Sequence, residues 1–133
     1  MSDVYLPFVQ AVISTLQGID RVTGVYTSTV ALSPDQFPYL VVNFERMPKN
    51  TKTSDMSEII FMIQAFSRGS NSLSAFLDSA QIIRDVRDRL HKSNLSVAGI
   101  DIVDIQENGA MGSLSENDGQ TVQCYINFNA TVE

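Results

Sequence analysis

Ile59-Ile60-Phe61-Met62-Ile63-Gln64-Ala65-Phe66-Ser67-Arg68-Gly69-Ser70-Asn71-Ser72, followed by the amphipathic stretch from Leu73 to Lys92, reads as a strand, a tight polar turn and a long helix. Strand-to-helix corners of α/β enzymes commonly hold a phosphate loop or a nucleophile. Ser67-Arg68-Gly69-Ser70 has neither the glycine pattern nor the lysine of a phosphate loop. The corner therefore builds surface, and the expectation is an assembly component rather than a catalyst. Ile59 to Phe66 is apolar on both faces, which places it centrally in a sheet. The helix after it is expected to bury Leu73, Phe76, Leu77, Ala80, Ile83, Val86 and Leu90. Its outer face carries the i,i+4 pairs Arg84–Asp88 and Asp85–Arg89. Each pair contributes only a few tenths of a kcal/mol, so packing holds the helix.

Outward from that block the pattern alternates between the two periodicities. Val4, Phe8, Val9, Val12, Ile13 and Leu16 recur at helical spacing, with Ser2 or Asp3 as cap, Pro7 in the first turn and Gly18 at the end. Val22 to Val30 reads as a weak strand, and Ser33 to Pro38 as a loop with two prolines. Tyr39 to Arg46 alternates, with Leu40, Val42 and Phe44 on the better-buried face. Met47 to Asp55 reads as an exposed polar loop, Ile100 to Gln106 as a strand, and Asn108 to Gly119 as a second polar loop. Gln120 to Val132 alternates most cleanly: Val122, Cys124, Ile126, Phe128 and Ala130 share one face, and Gln123, Tyr125, Asn127 and Asn129 the other. The predicted fold is α+β, a mixed or antiparallel sheet of about five strands with two main helices packed on one face.

Composition narrows the function. With 133 residues the chain forms one domain, 1–133, with a single core. Nine Lys+Arg against fifteen Asp+Glu give a formal charge of −6, which works against clasping a nucleic-acid backbone. A single cysteine, Cys124, rules out an intrachain disulfide and fits a reducing folding site. Met1 to Gln17 starts acidic and lacks the basic region of a signal peptide. No apolar run reaches the ~18–20 residues that span a bilayer, so no membrane partner is expected.

No reactive set emerges. His91, the only histidine, sits where it suits a helix C-terminus. Cys124 lies on the apolar strand face as a small hydrophobe. Asp101, Asp104 and Glu107, spaced by three along a strand, alternate between faces unless a bulge intervenes. Glu116, Asn117 and Asp118 lack the ligand alternation of a calcium loop. Gly109-Ala110-Met111-Gly112 is not followed by a helix, as a phosphate cradle requires. No catalytic residue, cofactor or metal is expected.

With that element order, the chain resembles the tail terminator, or tail-completion, proteins of long-tailed bacteriophages and related tailed particles. The resemblance rests on three places. Phe37-Pro38-Tyr39-Leu40-Val41-Val42 is a Pro-aromatic lead into an apolar strand. The block from Ile63 to Leu90 runs through Phe66-Ser67-Arg68-Gly69 into the helix. The last two strands follow Leu95-Ser96-Val97-Ala98-Gly99-Ile100. The resemblance implies a non-enzymatic subunit that forms a six-membered ring on the head-proximal end of the tail tube. Such a ring stops tube growth and offers a face to head-completion proteins, while DNA passes through without specific binding. It also implies a place in the neck of the virion tail, after assembly in the bacterial host cytoplasm. The alternatives are a head-completion or neck connector subunit, and a small ligand-binding regulatory α+β domain. The residues expected at subunit or partner contacts are Arg46, Lys49, Lys52, Asp55, Met111, Glu116, Asp118, Gln123, Tyr125 and Asn127. Among them Lys49, Lys52 and Arg46 form a small basic cluster suited to an acidic neighbour.

Overall fold

The computed structural model describes residues 5–27, 37–48, 57–90, 102–107, 112–115 and 120–132. In chain order these form α1 (Tyr5–Gln17), β1 (Val25–Tyr26), β2 (Tyr39–Pro48), β3 (Ser57–Arg68), α2 (Ser72–Arg89), β4 (Ile102–Glu107), β5 (Gly112–Ser115) and β6 (Thr121–Val132). The strand order is β1-β2-β3-β6-β4, with β5 also on β6. Among the described residues only β1 and β2 run parallel; every other pairing is antiparallel. The architecture is the predicted α+β fold, with β3 in the middle of the order.

Strand periodicity explains the layering. On β3, Ile59, Phe61, Ile63 and Ala65 face the helices, and across the ladder they meet Ala130, Phe128, Ile126 and Cys124 of β6. Leu40 and Val42 of β2, together with Phe8, Val12 and Leu16 of α1 and Ile82, Ile83, Val86 and Leu90 of α2, complete one buried cluster. Both helices thus lie on one face, α1 towards β1 and β2, α2 over β3 and β6. Phe61 is the hub: its ring lies 6.0 Å from Phe8, 5.4 Å from Phe44 and 5.2 Å from Phe128.

Four details differ from the sequence-based expectation. First, α2 buries Ile83, Val86 and Leu90 as expected but turns a different face inward along its first turns. Ala75, Ser79, Ile82, Ile83 and Val86 are buried, whereas Leu73, Phe76 and Leu77 are 66%, 37% and 52% exposed. The helix passes so close to the sheet at Ala65 that only small side chains fit beneath its first turns, and the large ones turn outward. Second, Met47 and Pro48 belong to β2 rather than to a loop, because the hairpin ladder continues to Pro48↔Ser57. Third, residues 112–115 lie in the expected second loop yet form β5, which pairs with Val122 to Tyr125. Fourth, within Val22 to Val30 the described strand is limited to Val25 and Tyr26.

A register shift between Ile102 and Asp104 marks a bulge in β4. It lets Ile102 and Ile105, three apart, both pack against the core. Asp104 and Glu107 still pair with β6 positions of opposite faces, Thr131 and Phe128. Among the described residues no helix is long and apolar enough to cross a membrane.

Candidate assembly interface

Among the described residues no helix or strand covers the other face of the sheet, and of the expected contact residues Gln123, Tyr125 and Asn127 lie on it, whereas Arg46 pairs in register with the core residue Ile59. One corner of it is closed by aromatics. Tyr39 and Phe66 stack at 4.9 Å with rings 6° apart, and Phe37 and Tyr26 pack on Tyr39 at 5.0 and 5.8 Å. Together with Val41 they form a second, smaller apolar cluster. The Phe37–Pro38 peptide that leads into it is cis.

Beyond that corner the face is a lattice of amides with apolar side chains between them. Asn43 donates to Gln64 at 3.3 Å, and Gln64 donates to Gln123 at 2.7 Å, a chain that crosses β2, β3 and β6. Asn129 donates to Glu58 at 2.5 Å, and its side-chain Oδ1 is buried with no hydrogen-bond partner among the described residues. Between these groups stand Ile60 and Met62, opposite Asn129 and Asn127 in register, and Tyr125, opposite Gln64. All are half-buried. Side-chain amides bonded to one another across strands hold fixed rotamers, so a partner would meet an ordered surface rather than one it must first order.

Gln123, Tyr125 and Asn127 therefore share one face, as their alternation in β6 predicts. Arg46 is placed in β2 by its backbone. Lys49, Lys52, Asp55, Met111, Glu116 and Asp118, like His91, lie outside the described residues. The periodicity argument missed the other prominent surface, the outward stripe of α2. Leu73, Leu77 and Arg84 lie four and seven residues apart, on the side of the helix opposite Ala75, Ser79, Ile82 and Val86.

The strand-to-helix corner is closed and structural. The Gly69 amide donates to the Gln120 carbonyl at 2.9 Å, and Arg68 donates to the Gln120 side chain at 3.0 Å. Asn71 caps α2 by accepting the Ser74 amide at 2.9 Å. Cys124 is buried, and its backbone amide donates to the Ser79 hydroxyl at 3.0 Å. Among the described residues no three His, Cys, Asp or Glu side chains are grouped as a metal site. A shallow surface recess of about 260 Å³ beside α2 is lined by Ile19, Asp20, Arg21, Asp85, Asp88 and Arg89. Above it Arg21 pairs with Asp78 at 3.6 Å and donates to Gln81, which ties the segment after α1 to α2.

No curated protein matches the chain. Among solved structures, a chain of the virion of a native gene transfer agent particle superposes with a TM-score of 0.72. It is 18% identical, and the match covers 93% of this chain and 92% of that one, a likeness of fold. The family model of tail completion protein gp17 matches residues 10–133. With all but its first nine residues so matched, the chain belongs to the tail completion protein gp17 family, structural proteins of the bacteriophage tail that act in virion assembly.

Proposed function

We propose that the chain is the tail terminator of its particle: a ring, six copies in closed symmetry, seated on the head-proximal end of the tail tube. The ring stops tube elongation and presents the face on which head-completion proteins dock. The observation that carries this reading is the family match over residues 10–133, joined to a sheet whose second face is an ordered lattice of amides and apolar side chains. A subunit of a closed ring needs such a surface, because each copy must bind its neighbour by shape. Charge supports it too. Six copies at −6 each carry −36, and a lumen of that sign repels DNA that must slide through without sticking. The helix–sheet space is filled by one contiguous core around Phe61, which disfavours a ligand held between the two layers.

The test is deletion of the gene from the parent genome, with the products imaged by negative-stain electron microscopy. Overlong or ragged tails, separate from filled heads, are expected. Tails of normal length that fail to join heads would move the protein to the head side of the neck, as a connector subunit. Intact infectious particles would overturn both readings.

A further inference from the structure

A ring built from one kind of subunit uses a heterologous contact: two different patches on each copy, facing opposite ways, meet head to tail. The described structure offers two such patches on opposite layers. One is the outward stripe of α2, where Leu73 and Leu77 are 66% and 52% exposed and Arg84 is exposed one further step along the same side. The other is the open sheet face, where Ile60 and Met62 lie side by side on β3 and the exposed Glu45 stands directly across from Ile60. We propose that these two patches bind each other between neighbouring copies: Leu77 rests on Met62, and Arg84 meets Glu45 beside Ile60. The proposal rests on the ring reading above and names the surfaces that close the ring.

Spacing and charge both fit. Leu77 and Arg84 are seven residues apart on a helix, about 10 Å along its axis. Met62 and Glu45 are diagonal neighbours across two strands, about 7–8 Å between their backbones, with the reach of two long side chains to spare. An apolar contact set beside an opposite-charge pair fixes both the position and the direction of the helix on the sheet. Methionine suits the receiving side, since its unbranched chain adapts to a leucine pressed against it. Within its own helix Arg84 has Asp88 at i+4 and lines a surface recess with Gln81 and Asp85, weak surface attractions that a partner can displace. The amides around Ile60 and Met62 are held by one another and form the polar rim expected around such a centre.

The experiment is done on whole particles. Leu77→Cys and Met62→Cys are introduced together, the particles are purified and oxidised, and the protein is separated without reductant. A ladder of covalent multiples ending at the ring's copy number is expected, with each substitution alone giving monomer because the native Cys124 is buried. Wild-type particles are imaged in parallel. If a ring is visible there but the double variant yields only monomer, this interface is wrong and the ring reading stands. If no ring is present, the ring reading itself fails and this inference with it. Arg84→Glu and Glu45→Arg supply a second readout. Each alone is expected to lower the yield of joined particles about tenfold or more, as like charges brought face to face do. The two together are expected to restore it, and a combined variant no better than either single one would overturn the pairing.

Discussion

Ser79, on the buried side of α2, reaches into the sheet and donates its hydroxyl to the carbonyl of Ala65 at 2.5 Å. The same oxygen accepts the amide of Cys124 at 3.0 Å, so one side chain bonds β3 and β6 where Ala65 and Cys124 face each other. Ser79 is fully buried. Ser79→Ala is expected to cost about 1–3 kcal/mol, because two buried backbone groups lose a partner that water cannot replace. Urea unfolding would show a lower midpoint with an unchanged slope. A midpoint equal to wild type would mean that the sheet satisfies both groups without the helix.

That contact also explains why helix position was legible in the sequence and helix rotation was not. The extent of α2 follows from its periodic apolar residues. Its apolar residues form two stripes, however, and the one with the larger side chains, Leu73, Phe76 and Leu77, looks like the core. The structure buries Ala75 and Ser79 instead, because α2 approaches β3 to hydrogen-bond distance. Only a small side chain fits under a helix that close. In β6, by contrast, the strict alternation from Val122 to Ala130 fixes both faces, and burial follows it residue by residue. The short strand β5 left almost no trace: Gly112-Ser113-Leu114-Ser115 holds one large apolar residue, too few for a period to show. Of the two surfaces proposed to meet, the polar face of β6 follows from its alternation, while the apolar stripe on α2 does not follow from its periodicity.

The corner between β3 and α2 depends on Gly69 for space rather than for backbone freedom. A Cβ there would lie 2.3 Å from the Ser74 hydroxyl and 3.0 Å from the Ala75 amide nitrogen. Gly69→Ala is therefore expected to lower the melting temperature, at a cost of about 1–3 kcal/mol for overpacking. Adding Ser74→Ala removes the nearer clash but not the backbone one, so it is expected to recover part of the loss. Full recovery would show that the Ala75 backbone can give way. Asn71→Ala, which removes only the cap, is expected to cost about 1 kcal/mol, with Asn71→Asp close to neutral.

Phe61 touches the rings of Phe8, Phe44 and Phe128, which belong to α1 and to the strands on either side of its own. Its loss leaves a cavity bounded by a helix and a sheet that cannot close together. Phe61→Ala is expected to destabilise by about 3–5 kcal/mol, a large share of the stability of a domain this size. Near-ultraviolet circular dichroism and chemical unfolding would show it. A loss below about 1 kcal/mol would mean that the aromatic cluster repacks around the gap.

Lys49 and Lys52 follow β2 in the sequence, beyond the end of its hairpin ladder at Pro48↔Ser57. In the proposed ring, two lysines this close in sequence would face neighbouring copies that each carry −6 overall. Surface charges away from a core contribute little to folding, typically within ±0.5 kcal/mol, yet they govern how fast and in what register partners meet. Lys49→Glu with Lys52→Glu is therefore expected to leave circular dichroism and melting unchanged while lowering the yield of joined particles. The defect should deepen at low ionic strength, where repulsion between the new carboxylates and an acidic neighbour is less screened. A salt-independent defect would point to a lost shape contact instead, and normal assembly would remove the two lysines from the interface.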